Sequence, residues 1–318
     1  MKRVLLAGIS LAVGMAVTTA YAADKKILAF VTNGPSEFWK AAQAGVKKAQ
    51  GELADYDLQF KFTDPSAAAT QIQEMDDLVS AGAAGIMVSA VDPKTESDAM
   101  AKIAGETLLL TTDSDAKQSN RVAYIGSSNV LAGQQVGEIL KKALPNGGKC
   151  MAYVGLPGAD NAKERLQGIK DVIKDTKITI VDVRADDIDN TRAKRNVEDT
   201  LTANPDVNCM VGIYSYNVPQ IYQALKEANM LGKITVTGFD DDPVTLGGVK
   251  EGTVAGTVVQ QPFEWGYQGM KLMAKILSGD KSGIPADTLV IIPTKVVDQS
   301  NVDQYSKDLA AMQAAAGK

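Results

Sequence analysis

Residues 27–49 read ILAFVTNGPSEFWKAAQAGVKKA, and this stretch contains the unit from which the rest of the fold is built. The five apolar residues 27–31 predict a buried β-strand, which ends in a polar turn rich in loop-forming residues. Apolar residues then recur at intervals of three and four from Trp39 to Ala49, the spacing of an amphipathic helix. A strand that leads through a short turn into a helix is the first half of a β-α-β unit.

The same alternation of strand and helix continues along the chain and then restarts. Apolar runs predict strands at 27–31, 58–62, 86–88 and 108–110, and, after the turn at 145–148, at 151–154, 178–183, 207–213 and 234–237. Strands that alternate with helices predict a mostly parallel sheet with helices on both faces. Because the pattern occurs twice, we predict two similar α/β domains; a single large sheet is the alternative.

The first 22 residues have the pattern of a cleavable secretory signal peptide. Lys2 and Arg3 precede the apolar run 4–17, and the small residues of Ala20-Tyr21-Ala22 fit the cleavage rule. A buried N-terminal helix is the alternative. The apolar run is too short to anchor the protein in a membrane, so we expect an exported chain that begins at Ala23.

The composition argues against several classes of function. The chain has a net charge of −5 and no cluster of Lys and Arg, so we expect no nucleic-acid partner. It contains no histidine, which excludes a Ser-His-Asp triad, a Cys-His pair and histidine metal ligands. The acidic loop 187–198 has Arg192 where a calcium loop requires glycine. We therefore predict no metal and no cofactor. The pair Asp113 and Asp240 leaves a secreted glycosidase as the catalytic alternative.

The two cysteines, Cys150 and Cys209, each lie in a predicted strand. Export makes a disulfide chemically possible, and two buried free thiols are equally compatible with the sequence. Both alternatives stay open at this point.

Polar residues gather directly after the predicted strands, where ligands bind in open parallel sheets. These positions are 33–39, 89–92, 113–115, 158–165, 214–217 and 240–242. Carboxylate, amide and guanidinium groups can each hold two neighbouring hydroxyls, and aromatic faces cover the C–H side of a sugar ring. This mixture predicts a site for a polyhydroxylated ligand. Successive helical residues point about 100° apart, so we expect one of Phe38 and Trp39 to face the ligand and the other to be partly core.

The stretches AKERLQGI at 162–169 and VTGFDDDP at 236–243, with the strand, aromatic loop and helix near the N-terminus, resemble periplasmic sugar-binding proteins of the ribose-binding type. The resemblance covers nearly all of the chain after the signal peptide. It implies an α/β fold of two Rossmann-like lobes with parallel sheets, joined by a three-segment hinge. The N-terminal lobe would comprise 23–127 and 261–290, and the C-terminal lobe 128–260 and 291–318. Hinge crossings are expected near 127–128, 260–261 and 289–293.

The resemblance also implies a set of ligand contacts. Phe38 and Trp39 would stack on the sugar, while charged and amide side chains would bind its hydroxyls. The predicted ligand-binding residues are Asn33, Ser36, Phe38, Trp39, Asp113, Ser114, Asp115, Arg165, Tyr216, Asn217, Asp240 and Gln260. The chain departs from the family where an arginine usually follows the first-lobe aspartate, because Ser114 and Asp115 stand here. The second lobe's aromatic residue is also missing near Ile188, so Tyr214 or Tyr216 would take its role.

We therefore predict a periplasmic, monomeric receptor without enzymatic activity that binds a pentose, a hexose or a related polyol. An ABC permease in the inner membrane is the expected partner, and a chemoreceptor is a second candidate. An amino sugar and autoinducer-2 are alternative ligands, and a sensor module is an alternative role.

Overall fold

The computed structural model describes residues 25–316, so the predicted signal peptide, 1–22, lies outside the described residues. The described chain forms two six-stranded sheets. The first sheet contains β1 (Lys26–Val31), β2 (Tyr56–Lys61), β3 (Gly85–Val88), β4 (Leu108–Thr111), β5 (Ala123–Gly126) and β11 (Leu289–Ile291). The second contains β6 (Gly148–Val154), β7 (Ile178–Ala185), β8 (Cys209–Gly212), β9 (Thr235–Phe239), β10 (Gly256–Val259) and β12 (Lys295–Val297).

The two sheets repeat one topology. The strand orders are β2-β1-β3-β4-β5-β11 and β7-β6-β8-β9-β10-β12. Neighbouring strands run parallel, except that β12 is antiparallel to β10. The prediction of an α/β protein with two parallel sheets is confirmed, and the alternative of a single large sheet is wrong.

Helices cover both faces of each sheet, because each face carries its own apolar core. The helices of the first half are α1 (Trp39–Gln50), α2 (Ala68–Ser80), α3 (Pro93–Glu106) and α9 (Pro262–Leu277). Those of the second half are α4 (Asn129–Ala143), α5 (Asp160–Ile173), α6 (Asn190–Ala203), α7 (Asn217–Glu227), α8 (Pro243–Glu251) and α10 (Val302–Ala316). We call these two groups of strands and helices the first half and the second half of the fold. No helix among the described residues is both long and apolar enough to cross a membrane.

Helices α4 and α5 pack unusually closely at two glycines. A Cβ atom at Gly133 would lie 2.1 Å from the backbone oxygen of Arg165, and one at Gly168 would lie 2.2 Å from that of Val130. Only glycine allows this approach of the two backbones. The close packing fixes the position of Arg165 beside the second sheet.

The chain crosses between the two halves three times, at 127–128, at 260–261 and at 292–294. The third crossing begins later than the predicted lobe boundary after residue 290, because Ile291 still pairs with Gly126 of β5. The crossing segments bind one another, since the Gln261 side chain donates to the Pro293 carbonyl at 2.6 Å. Whether these segments act as a hinge between two moving lobes stays a prediction.

Cys150 and Cys209 form a disulfide. They lie opposite each other in the register of the adjacent strands β6 and β8, with their Cα atoms 4.2 Å apart. The sequence left this question open because the pairing depends on the register of two strands that are 59 residues apart.

Candidate ligand-binding site

A cavity lies between the carboxyl ends of the two sheets and contains about 370 Å³ of atom-free space, including its mouth. Both halves contribute to its walls. The lining residues are Asn33, Ser36, Phe38, Trp39, Asp113, Asn161, Arg165, Ile188, Tyr214, Ser215, Tyr216, Asp240 and Gln260. Nine of the predicted residues belong to this set. The structure therefore brings most of the predicted site together at one place, where open parallel sheets bind their ligands.

The first half supplies an aromatic wall. Trp39 begins α1, is 2% exposed, and packs against Phe30 and Trp265 at ring distances of 5.7 and 6.4 Å. Its indole N–H donates to the Asn33 side-chain oxygen at 3.2 Å. Phe38 is half-buried and contacts the edge of Trp39 at 5.0 Å. Both rings border the cavity, and Trp39 is in addition part of the core.

Asp113 connects the two halves of the fold. Its Oδ2 accepts hydrogen bonds from Asn161 at 2.8 Å, from Ser89 at 3.0 Å and from Asn33 at 3.4 Å. Its Oδ1 accepts from Arg165 at 3.3 Å. Asn161 and Arg165 lie on α5 of the second half, so these contacts join the halves across the cavity.

Arg165 is 2% exposed and is held by four groups. Its Nη2 donates to Gln260 at 2.7 Å as well as to Asp113, its Nη1 to the Ile213 carbonyl at 2.9 Å, and its Nε to Asn129 at 3.0 Å. A guanidinium has five N–H groups, so one of them, on Nη1, has no acceptor among the described residues and can bind a ligand. Three of these four groups belong to the second half, so the half that carries Arg165 itself holds the side chain in place, which reduces the entropy lost on binding.

Asp240 is 2% exposed and accepts hydrogen bonds from the backbone and side chain of Gln260, at 3.0 and 3.1 Å. Burial raises the pKa of its carboxyl to about 7, although the nearby Arg165 acts in the opposite direction. Within residues 25–316 its carboxylate forms no ion pair. Near neutral pH this group therefore offers either a proton or a lone pair to a ligand.

Two predicted residues, Ser114 and Asp115, do not line the cavity. Asp115 is buried in an ion pair with Arg121, in which two N···O distances are 2.6 Å. Ser114 is buried as well, and its hydroxyl accepts from the Asp160 backbone N–H at 3.2 Å. The departure from the family at these positions therefore adds no negative charge to the cavity, because Arg121 neutralises Asp115.

Asn217 was also predicted to touch the ligand, and it does not line the cavity. It is fully buried behind the wall, where its amide donates to Asp186 at 2.9 Å and its oxygen accepts from the Tyr214 backbone N–H at 2.9 Å. The Tyr216 hydroxyl donates to Asp186 as well. Burial raises the pKa of Asp186 to about 6, and the hydrogen bonds from Tyr216, Ile188 and Asn217 oppose this rise. Asn217 thus lies behind the cavity wall and supports it through Asp186.

Four lining residues were absent from the predicted set: Asn161, Ile188, Tyr214 and Ser215. Asn161 lies one helical turn before Arg165 on α5, so the i, i+4 spacing was an available signal. The Tyr214 hydroxyl donates to the Asn161 oxygen at 3.0 Å, so both Tyr214 and Tyr216 belong to the wall. No group of three or more His, Cys, Asp or Glu in the described part of the chain is arranged to hold a metal ion.

Two α/β halves with a polar, aromatic-lined cavity between them define a two-lobed solute-binding protein. The chain belongs to the family with a periplasmic binding protein domain, whose family model matches residues 27–281.

Several individual proteins are similar over most of the chain. The ribose import binding protein of Salmonella typhimurium is 27% identical over 286 residues, which are 87% of this chain and 94% of that protein. A solute-binding protein of Burkholderia graminis, solved in complex with D-arabinose, is 30% identical with a TM-score of 0.81, and the match covers 87% of this chain and 96% of the other. A glucose-galactose binding protein of Geobacillus stearothermophilus is 25% identical with a TM-score of 0.80, over 87% and 99% of the two chains. These findings confirm the resemblance to ribose-type periplasmic sugar-binding proteins. They also agree with the prediction of a binding protein and not an enzyme.

Proposed function

We propose that this protein is the periplasmic receptor of an ABC sugar importer and that its cavity binds a monosaccharide or a related polyol. The observation that carries the proposal is one cavity in which a fixed guanidinium, two buried carboxylates and two aromatic rings in edge-to-face contact meet. A monosaccharide or polyol satisfies such a mixture, because each hydroxyl can both donate and accept.

The polar wall binds the hydroxyls of the sugar. Arg165 donates its remaining N–H to a ring or hydroxyl oxygen, and Asp240 accepts from one hydroxyl or two neighbouring ones. Gln260 holds both side chains, since it accepts from Arg165 and donates to Asp240. Phe38 and Trp39 cover the C–H face of the ring, which contributes apolar burial and excludes water. The ligand-binding residues are therefore the nine predicted residues that line the cavity, together with Asn161 and Tyr214.

Ligand release requires that the two halves separate. Asp113 contacts Arg165 and Asn161 across the cleft, and an ion pair of 2.7 Å joins Lys117 of the first half to Glu164 of the second. We propose that the three crossing segments form a hinge and that the sugar favours the closed state by contacting both halves at once. The closed receptor, as a monomer, then docks on the membrane permease and, as a second partner, on a chemoreceptor.

The relatives support this choice of ligand class. A ribose import binding protein and a solute-binding protein with bound D-arabinose each match about nine-tenths of their own length. A pentose is therefore the first candidate, with a hexose or polyol next.

An amino sugar is the second candidate, and the environment of Asp240 favours it. No ion pair neutralises this buried carboxylate in the part of the chain that the structure describes, and Arg165 already binds Asp113. A protonated amine on the ligand would supply the missing positive charge. An amino sugar should then bind more tightly above the pKa of Asp240, about 7, while a neutral sugar should not.

A thermal-shift screen of the mature protein against pentoses, hexoses, sugar alcohols, amino sugars and autoinducer-2 tests the proposal. A ligand at a hundred times its dissociation constant adds about 2.7 kcal/mol to stability, which at this size raises the melting midpoint by about 4 to 5 °C. We expect one class of sugar to give this shift and Arg165→Met, in which the charge is removed at similar length, to abolish it. A silent panel would refute the proposed function.

A further inference from the structure

The sugar cavity opens onto a larger space, which we call the outer groove. The outer groove contains about 2590 Å³ of atom-free space, part of it open solvent, and runs along α1, the start of α9 and α10. Six residues border both spaces: Ser36, Phe38, Ile188, Ser215, Tyr216 and Gln260. These residues form the boundary at which a ligand in the cavity would meet the groove.

Ile188 is the aliphatic member of this boundary, and it reaches across to the opposite half. A Cβ atom built on Gly34 would lie only 2.9 Å from the Ile188 Cδ1 and 3.2 Å from Ser66, so the Ile188 side chain touches the backbone turn of the first half. The other large boundary residues are anchored elsewhere. Tyr216 binds Asp186, Gln260 binds Asp240, and Phe38 packs against Trp39. The Ile188 side chain therefore fills the gap between the two halves at this point.

The backbone at Ile188 is strained. Its φ is 63°, and the preceding Asp187 has a φ of 54°, so two successive non-glycine residues lie in the left-handed region. A β-branched residue rarely adopts this conformation, and such strain persists where the surrounding structure enforces it, often at functional sites. A glycine at this position would be unstrained.

Asp186 enforces this conformation. Its carboxylate accepts from the Ile188 backbone N–H at 3.0 Å and also from Tyr216 and Asn217. The backbone N–H groups of Asp186 and Asp187 are bound to the end of β6, at 3.0 and 3.1 Å from their acceptors. The turn is thus held to the end of β6 by its backbone and to Tyr216 and Asn217 by the Asp186 side chain, and it delivers the Ile188 side chain to the boundary.

We propose that Ile188 is a specificity-determining residue, which separates the sugar cavity from the outer groove and restricts the receptor to free monosaccharides or polyols. A ligand that carries a substituent on the hydroxyl facing the groove, such as a glycoside or a disaccharide, has to displace the Ile188 side chain or hold the two halves apart. This inference rests on the proposed function, because it assumes that a sugar occupies the cavity.

The test compares the wild-type protein with Ile188→Gly by calorimetric titration. The ligands are the sugar identified in the screen and its singly O-methylated derivatives, one for each hydroxyl. Pocket contacts of one methylene change discrimination by about tenfold or more. We therefore expect Ile188→Gly to bind the free sugar about tenfold more weakly than the wild type does. For the derivative whose methyl group faces the groove, the ratio of its affinity to that of the free sugar should be about tenfold higher in Ile188→Gly than in the wild type.

Thr288→Gly is the matched control. Thr288 is also β-branched and has a φ of 61°, but it lies at the start of β11 and does not border the cavity. Both substitutions remove strain at a positive φ, and Thr288→Gly in addition removes the hydroxyl that accepts a hydrogen bond from Arg121 at 2.9 Å. Only Ile188→Gly should change the discrimination between ligands. Gly34→Ala adds a second check, because its new Cβ would lie 2.9 Å from the Ile188 Cδ1. The substitution should weaken sugar binding when Ile188 is present and weaken it less in the Ile188→Gly background, where that contact is absent.

The outcomes separate the two claims. If the wild type binds a sugar and Ile188→Gly keeps both its affinity and its discrimination among the derivatives, the inference about Ile188 is overturned while the proposed function stands. If the wild type binds none of the sugars, the proposed function is refuted and this inference falls with it.

Discussion

Replacing Asp240 by asparagine should stabilise the ligand-free protein at neutral and higher pH and weaken sugar binding. Burial raises the pKa of this carboxyl from its ordinary value of 3.8 to about 7. Between these two values the folded protein holds a proton that the unfolded chain has lost. Stability therefore falls as the pH rises through this window, and above about pH 7 the full cost applies.

The magnitude follows from the size of the pKa shift. A rise of about three units corresponds to at most about 4 kcal/mol, since each unit is worth about 1.4 kcal/mol. Asparagine removes this cost and keeps an oxygen that accepts from the Gln260 backbone N–H. The asparagine side chain has no second oxygen to accept from the Gln260 side chain, which offsets part of this stabilisation. We therefore expect the free energy of unfolding to rise by about 2 to 3 kcal/mol at about pH 8, and by less at about pH 5.

Urea unfolding of both proteins at several pH values measures this difference. Burial also raises the pKa values of the carboxyl groups of Glu96, Asp186, Asp241 and Asp242. All four are present in both proteins, so the difference between the two pH profiles reports the change at residue 240. Asp115→Asn is the control, because it breaks the buried ion pair with Arg121 and should destabilise by about 3 kcal/mol. An Asp240→Asn protein whose stability follows the wild type at every pH would refute the reasoning.

Three other changes test the site and the fold. Arg165→Met should lower sugar affinity at least about a hundredfold, because it leaves Asp113 and the ligand without their buried cation. A calorimetric titration that finds wild-type affinity would contradict this. Phe38→Ala should weaken sugar binding by about 1 kcal/mol or more, with a smaller loss of stability because the ring is only half-buried. An unchanged dissociation constant would show that Phe38 does not stack on the sugar. The double change Cys150→Ala and Cys209→Ala should lower stability by about 4 kcal/mol, because the disulfide closes a loop of 59 residues. Equal free energies of unfolding for the variant and the wild type would show that the bond contributes nothing.

The architecture and most of the site could be predicted from local patterns. Strand and helix periodicities gave two parallel sheets, and the carboxyl ends of parallel strands meet at one edge. Residues that directly follow a strand, such as Asp113 and Asp240, were therefore found. Arg165 lies on a helix, and it was found through the family resemblance of the stretch around it.

The predicted residues that do not line the cavity differ from the expectation in the direction of their side chains. Asp115 follows Asp113 by two residues, and only the three-dimensional loop brings Arg121 against it. Asn217 begins α7 at the predicted rim but points backwards to Asp186. Asp186 itself was missed because β7 extends to Ala185, two residues beyond the predicted strand. Such choices depend on which buried partner satisfies each polar group, and local sequence does not specify that partner.

The most direct test of the account is a crystal structure of the protein grown with the sugar that gives the largest thermal shift. We predict one sugar ring between Phe38 and the second-half wall, with hydroxyls within hydrogen-bond distance of Arg165 and Asp240, and with Ile188 packed against the end of the ligand that faces the groove. A sugar bound elsewhere, with Arg165 and Asp240 still contacting only protein groups, would contradict the account.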